Sequence, residues 1–130
     1  MRDIVGTWRL VRTSARNDDG GPMHPPYGDQ PRGLLVFYPD HRMMSVLCDG
    51  SDALAAESVR EYNSYCGRYA YDGETLVTRV DASADPGRVG GEQVRFTRFD
   101  GELLVLTQKP RLWNGVMQHR ELVWERIAGA

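Results

Sequence analysis

Two matched motifs, one near each end of the chain, constrain the fold more than any other feature. Gly6-Thr7-Trp8 opens the first segment of strand character, and Trp124-Glu125-Arg126 ends the last one. A glycine has no Cβ, so another backbone can pass close beside it, and an arginine can lie flat on an indole. We expect Trp8 and Trp124 to be buried near the closed end, with Arg126 stacked on Trp8 and donating hydrogen bonds to carbonyls of the N-terminal turn. The motifs predict a β-barrel that an indole plugs at one end.

Alternation of polar and apolar residues predicts about eight antiparallel strands separated by turns such as Asp72-Gly73 and Asp100-Gly101. The predicted strands cover residues 4–13, 34–38, 42–48, 66–71, 75–83, 92–99, 103–107 and 120–127. After the third strand, Ser51 is a suitable N-cap, and the following Ala53-Leu54-Ala55-Ala56 favours a helix over residues 51–65. The expected fold is therefore all-β: a roughly eight-stranded antiparallel barrel with one inserted α-helix, in a single domain over residues 1–130.

Composition argues against several classes of function. The chain of 130 residues has a formal net charge of −2 with interspersed charges, which does not favour nucleic-acid binding. It contains no apolar run of signal-peptide or membrane-spanning length, so we expect a cytoplasmic protein without membrane contact. Its two cysteines and three histidines lack the spacing of metal or redox motifs. We therefore expect two free thiols, no metal and no cofactor.

The segment over residues 17–32 is a long loop for so small a domain, and loops of that length are commonly lids or binding loops. Its prolines limit its conformational entropy. We expect a semi-rigid rim that borders the mouth of the cavity, with Tyr27 pointing toward it. The strand at 103–107 is apolar on both faces, so its outer face needs cover from the helix or from a second subunit. A homodimer is therefore expected.

An eight-stranded barrel has room inside for one small ligand or for side chains alone. On the strand at 92–99, Gln93 and Arg95 share one face. If that face points inward, Arg95 needs either an acid, of which Asp81 and Glu92 are the nearest in strand order, or a ligand oxygen. Both alternatives stay open. Arg95 and Tyr69 are the candidate catalytic residues, because both can polarise a substrate oxygen.

The candidate ligand contacts are aromatic, flexible or polar side chains that suit a hydrophobic molecule with one or two oxygens, although core packing must account for part of them. They are Tyr27, Tyr38, Met44, Tyr62, Gln93, Trp113, His119 and Trp124. The main pocket is expected to be lined by Tyr38, Met44, Tyr69, Arg95 and Trp124, with Tyr62 reaching over from the helix. His119 is either a haem ligand inside the barrel or, as favoured, a histidine at its rim. No nucleophilic triad is indicated.

Several motifs, taken in order and spacing, resemble those of small bacterial and fungal lipocalin-like domain proteins. They are Val5-Gly6-Thr7-Trp8-Arg9-Leu10, Pro25-Pro26-Tyr27-Gly28, Pro31-Arg32-Gly33-Leu34-Leu35, Tyr38-Pro39-Asp40 with Met43, Tyr65-Cys66-Gly67-Arg68-Tyr69, residues 86–95, and Leu122-Val123-Trp124-Glu125-Arg126. The resemblance spans nearly the whole chain and implies a lipocalin-type β-barrel. Members often carry a histidine where this chain has Thr78-Arg79, so no role of that histidine carries over.

The resemblance leaves the chemistry open, because some lipocalin-like barrels bind hydrophobic small molecules while others act as cyclases or isomerases in natural-product pathways. The leading hypothesis is cofactor-free cyclisation, isomerisation or dehydration of a hydrophobic, oxygenated biosynthetic intermediate held in the cavity. The alternative is a binding or carrier protein that uses the same cavity without chemistry. A third class, a structural barrel with a filled interior that binds a partner, is also considered.

Overall fold

The computed structural model describes residues 1–56 and 58–129, and within them ten strands form one antiparallel sheet. The strands are β1 (Gly6–Arg16), β2 (Pro22–Met23), β3 (Pro31–Phe37), β4 (Arg42–Asp49), β5 (Tyr62–Tyr71), β6 (Thr75–Ser83), β7 (Glu92–Asp100), β8 (Leu103–Thr107), β9 (Arg111–Trp113) and β10 (Val116–Ala128). Strand β1 pairs with β3 on one side and with β10 on the other, which closes the sheet. The short β2 and β9 lie outside this ring, so the prediction of an eight-stranded antiparallel barrel is confirmed.

The predicted helix over residues 51–65 is wrong. Part of it, Glu57, lies outside the described residues, and among the described ones the single helical element is a 3-10 turn at Pro86–Arg88. Residues 62–65 instead begin β5, where Tyr62 and Tyr65 pair with Cys48 and Ser45 of β4. Most described side chains of the segment 51–56 are exposed, so no apolar face is buried to offset the cost of helix nucleation.

The two ends of the barrel differ. At the closed end the chain makes short turns around residues 38–41, 72–74 and 101–102, and Met1 and Gly129 lie there. Trp8 is 1% exposed, and its Nε1 donates to the carbonyl oxygen of Ile4 at 2.9 Å. The Arg126 guanidinium lies 4.5 Å from the Trp8 ring centroid and donates to the carbonyl oxygen of Asp3 at 2.6 Å. The predicted contact of Arg126 with Trp8 is confirmed, but Trp124, expected near the same end, pairs with Leu10 farther along β1 and lies outside the plug.

Gly6 lets the chain ends pack this closely. Its φ is +135°, and a Cβ there would lie 2.6 Å from the carbonyl oxygen of Ala128. Both the conformation and the approach therefore exclude a larger residue without strain.

The outer face of β8 needs no partner to be buried. Val105 is 1% exposed, and its neighbour on β10, Val123, is also buried. On this surface Arg98 lies opposite Val105 and forms an ion pair with Glu121 at 3.2 Å. Long charged side chains can cover apolar surface with their stems. The apolar outer face of β8 is therefore buried without a second subunit, and a homodimer stays a prediction. No helix in the described chain is long and apolar enough to cross a membrane.

Candidate ligand-binding cavity

A cavity with a volume of about 520 Å³ opens at the end of the barrel opposite the indole plug. It is bordered by residues of the four long connections at this end, among them Pro26 and Tyr27 of the first loop and Asp85 and Arg88 of the β6–β7 turn. The prediction that the loop over residues 17–32 borders the mouth is therefore confirmed. The volume falls in the range of pockets that bind small molecules.

The deep part of the cavity is apolar. Its lining includes Leu35, Leu47, Leu106, Leu122 and Trp124. Trp124 lies at this depth because Gly33 makes room for it: a Cβ on Gly33 would lie 3.3 Å from Cη2 of the indole. The indole is 1% exposed, and its Nε1 is buried without a hydrogen-bond partner among the described residues. A buried donor without an acceptor is costly in a protein interior, so this N–H is available to a ligand oxygen.

Arg95 points into the cavity from the middle of β7. The polar face of this strand, with Gln93, Arg95 and Thr97, turns inward, while Val94 and Phe96 lie on the outer surface. The guanidinium donates one hydrogen bond, at 2.9 Å, to the neighbouring Val94 carbonyl oxygen. Burial lowers the pKa of Arg95, and the nearby Arg88 and Arg111 lower it further, whereas Tyr65 opposes the change.

Neither acid that sequence reasoning offered to Arg95 is its partner. Asp81 instead forms an ion pair with Arg42 at 2.6 Å on the outer surface. Among the described residues, no carboxylate lies within salt-bridge distance of Arg95, so an ion-pair role is not seen. A partly buried cation without a counter-charge is the property that sets this site apart.

A second arginine, Arg88, is held against the same wall. The Asp85 side chain caps the 3-10 turn by accepting from the Gly87 N–H, which places Arg88 beside the cavity. Arg88 lies 3.5 Å from Asp85 and donates to Oε1 of Gln93 at 2.8 Å. Gln93 is buried, and its Nε2 has no partner among the described residues. Gln93 is thus a support for Arg88, next to the cavity lining.

The hairpin of β9 and β10 forms another part of the rim. Its two-residue turn, Asn114-Gly115, has positive φ at both positions, the geometry that an Asn-Gly pair adopts readily. The hairpin brings Trp113, Arg111 and Arg120 together: the guanidiniums lie 5.1 Å and 3.7 Å from the indole centroid. Burial lowers the pKa of Arg120, although Glu61 opposes this.

Tyr27 lines the cavity, as expected from the sequence. Its backbone N–H donates to Oε2 of Glu61 at 3.2 Å, which ties the first loop to the residues before β5. Burial raises the pKa of the Tyr27 phenol above its ordinary value of 10.0, while Arg120 and a hydrogen bond from Asn63 oppose the shift. Tyr62 also borders the cavity, from the start of β5 instead of from a helix.

Three residues expected in the pocket lie elsewhere. Tyr38 is 43% exposed in the closed-end turn, and Met44 is 49% exposed on the outer face of β4. Tyr38 and Met44 are each adjacent in sequence to a residue that faces inward. The buried, inward residues are Leu35 and Phe37 of β3 and Ser45 of β4, and alternate residues of a strand face opposite sides. Tyr69 is buried at the closed end, where its hydroxyl donates to the carbonyl oxygen of Tyr38 at 2.9 Å. None of the three lines the cavity.

His119 lies at the rim, as favoured from the sequence. Its neighbours Gln118 and Arg120 alternate with it along β10, and its ring Nε2 lies 2.9 Å from Oδ1 of Asp18 on the first loop. The half-exposed side chain of His119 points away from the cavity and does not suit a haem ligand. Within the described part of the chain, no three His, Cys, Asp or Glu side chains cluster where they could hold a metal ion.

Sequence reasoning missed four arginines of the cavity, namely Arg60, Arg88, Arg111 and Arg120. Two signals could have found Arg111 and Arg120. Counting back in twos from the inward Trp124 and Leu122 leads to Arg120. The Asn-Gly pair after Trp113 is a strong hairpin signal, and it would have added the strand that carries Arg111. Arg88 sits in a turn, where no periodicity indicates direction.

The comparisons with known proteins agree with this architecture. The chain matches the family described as "Lipocalin-like domain" over residues 5–127. The search of curated proteins found no match, and neither did the search of solved structures. A closed barrel with an internal cavity is consistent with binding of a small hydrophobic ligand. Since the match covers nearly the whole chain, this protein belongs to the lipocalin-like domain family.

Proposed function

We propose that the protein binds a hydrophobic, oxygen-containing small molecule in the cavity at the open end of the barrel. The observation that carries the proposal is the arrangement of Arg95 relative to the apolar lining. Trp124 and Leu122 offer apolar surface, and Arg95 offers a guanidinium whose charge no described carboxylate neutralises. A mainly apolar pocket with a small number of convergent polar groups is the usual composition of a small-molecule site.

The direct test uses a neutral hydrophobic fluorophore, N-phenyl-1-naphthylamine, titrated into the full chain. We expect saturable binding with enhanced emission. Leu122→Trp places an indole in the cavity and should weaken binding by at least about tenfold, which corresponds to 1.4 kcal/mol. Val46→Trp is the matched control, because Val46 lies on the outer face of β4, and it should leave affinity within about twofold. Equal affinity of both variants and the unaltered protein would place the fluorophore outside the cavity and refute the proposal.

Catalysis in the same cavity is the second candidate, and it rests on Arg95. A cation held in a partly desolvated site can stabilise negative charge that develops on a substrate oxygen during isomerisation, cyclisation or dehydration. Tyr69 does not contribute to this version, because its hydroxyl is bonded at the closed end. No cofactor enters the scheme.

Catalysis and binding differ in what Arg95→Leu removes. Compounds that co-purify with the full chain would be identified by native mass spectrometry and incubated with fresh protein. An enzyme should convert one of them, and the substitution should lower turnover more than it weakens binding. A carrier should return every compound unchanged and lose only affinity. Turnover that survives Arg95→Leu undiminished would refute the catalytic role.

A further inference from the structure

The lining of the cavity carries an excess of positive charge. Its described residues include five arginines and two carboxylates, in a chain whose formal net charge is −2. Both carboxylates already have partners, since Asp85 lies 3.5 Å from Arg88 and Glu61 accepts from the Tyr27 N–H. Arg95, Arg111 and Arg120, the arginine group, have no described carboxylate within salt-bridge distance. The cavity is therefore positively charged within a protein of opposite net charge.

The strand registers place this charge near the mouth of the cavity and the apolar surface below it. Leu122 pairs with Leu106, and Leu106 pairs with Thr97 of β7. Arg120 lies two residues from Leu122, and Arg95 lies two residues from Thr97, both toward the open end. Trp124 lies two residues from Leu122 in the other direction, toward the closed end. Four residues of strand span about 13 Å. A ligand that fills this space has its polar end near the arginines and its apolar part against Trp124.

The donors of the site outnumber its acceptors. With the described residues, Arg95 makes one hydrogen bond, to a main-chain oxygen. Arg111 and Arg120 approach the same indole, which brings two like charges together. A neutral carbonyl would accept hydrogen bonds but leave the charge unbalanced, whereas a carboxylate can take two parallel N–H donors and balance one of the positive charges.

We propose that the occupant is a hydrophobic carboxylate whose anionic end lies against Arg95 and Arg120 and whose apolar part extends to Trp124. The inference rests on the proposed function and adds the charge of the ligand to it. The buried Trp124 Nε1 is a further donor near the apolar end, placed for a second oxygen on the ligand. The desolvation that lowers the pKa of Arg95 and of Arg120 is consistent with a site that is complete only when an anion is bound.

The test compares decanoate, decan-1-ol and decylamine as competitors of bound N-phenyl-1-naphthylamine at neutral pH. A hydrogen bond to a charged group contributes about 1.5–3 kcal/mol, or roughly ten- to a hundredfold in affinity. We expect decanoate to bind tighter than decan-1-ol by about that factor, with decylamine the weakest. High salt should reduce the preference for decanoate.

Single substitutions test whether Arg95 is the residue that causes the preference for decanoate. Arg95→Gln should remove about tenfold of the affinity for decanoate and leave decan-1-ol within about twofold, and Arg95→Lys should restore part of the loss. Arg98→Gln is the matched control, because Arg98 lies on the same strand but on the outer face, paired with Glu121. It should leave both affinities unchanged. If Arg95→Gln does not fold, Arg120→Gln takes its place, and the ligand series on the unaltered protein needs no variant.

The failures of the two proposals are distinguishable. Equal binding of decanoate and decan-1-ol, or equal losses in Arg95→Gln and Arg98→Gln, would overturn the anionic assignment while leaving cavity binding intact. If neither the fluorophore nor any of the three compounds binds, both the anionic assignment and the proposed function are refuted.

Discussion

Replacing Arg95 by methionine should stabilise the ligand-free protein. Arg95 has no described carboxylate partner, so its removal leaves no opposite charge orphaned, which is the usual cost of deleting one half of a buried ion pair. Methionine is flexible and unbranched, and it keeps the apolar contacts of the arginine stem. The one hydrogen bond lost is to the exposed carbonyl oxygen of Val94.

The magnitude follows from these terms. Replacing buried ions by apolar residues is neutral to stabilising by about 1–4 kcal/mol, and a cavity that admits water places Arg95 in the lower part of that range. Subtracting about 0.5 kcal/mol for the hydrogen bond leaves a net gain of about 1 kcal/mol in the free energy of unfolding. For a domain of this size we expect a rise of about 3–5 °C in Tm.

The assay is urea unfolding of ligand-free protein at neutral pH, followed by circular dichroism. Arg98→Met is the matched control: it breaks an exposed ion pair with Glu121 and should cost about 0–1 kcal/mol, the opposite sign. If Arg95→Met instead destabilises by more than about 1 kcal/mol, Arg95 supports the barrel itself, and the reasoning that assigns it to a ligand is refuted.

Three further predictions concern the plug and the rim. Arg126→Ala should lower the free energy of unfolding by about 1–2 kcal/mol, because it removes the contact with Trp8 and the hydrogen bond to Asp3; no change in urea unfolding would contradict this. Gly6→Ala should cost about 2 kcal/mol or more, from positive φ and the clash with Ala128, and a neutral effect on Tm would refute the close approach. Because the pKa of Tyr27 is raised, its phenol keeps its proton to a higher pH in the folded state than in the unfolded state. The free energy of unfolding should therefore fall as pH rises above about 10. Tyr27→Phe should flatten that fall, measured by urea unfolding between pH 9 and 11 (roughly the window set by the ordinary phenol pKa).

Local chemistry was sufficient for the architecture and for the closed end. The strand ends beside Asp72-Gly73 and Asp100-Gly101 followed from these turn residues. The plug followed from Gly6, Trp8 and Arg126, whose roles depend on a missing Cβ atom, ring size and a planar cation. These properties belong to the residues themselves. They predict that Arg126 contacts Trp8 in any fold that brings the two ends of the chain together.

The direction of side chains in β3 and β4 could not be predicted in this way. Residues 34–37 are apolar at every position, so a period of two gives two possible inward sets and does not choose between them. The register of β3 with β1 makes the choice, with Leu35 opposite Trp8, and it sends Tyr38 and Met44 outward.

Tertiary pairing also decided the segment 51–65. The run Ala53-Leu54-Ala55-Ala56 has high helix propensity, but helices in proteins are stable mainly when a face packs against a core, and none of these four side chains is buried. Tyr62 and Tyr65 gain strand hydrogen bonds with β4 instead. The arginine group likewise exists only in the folded barrel, because Arg95, Arg111 and Arg120 come from three strands. The sequence determined which residues can alternate along a strand, pair across strands or stack on one another. Closure of the barrel determined which face of each strand points into the cavity and which charged side chains meet there, because these two outcomes depend on contacts between strands that are distant in sequence.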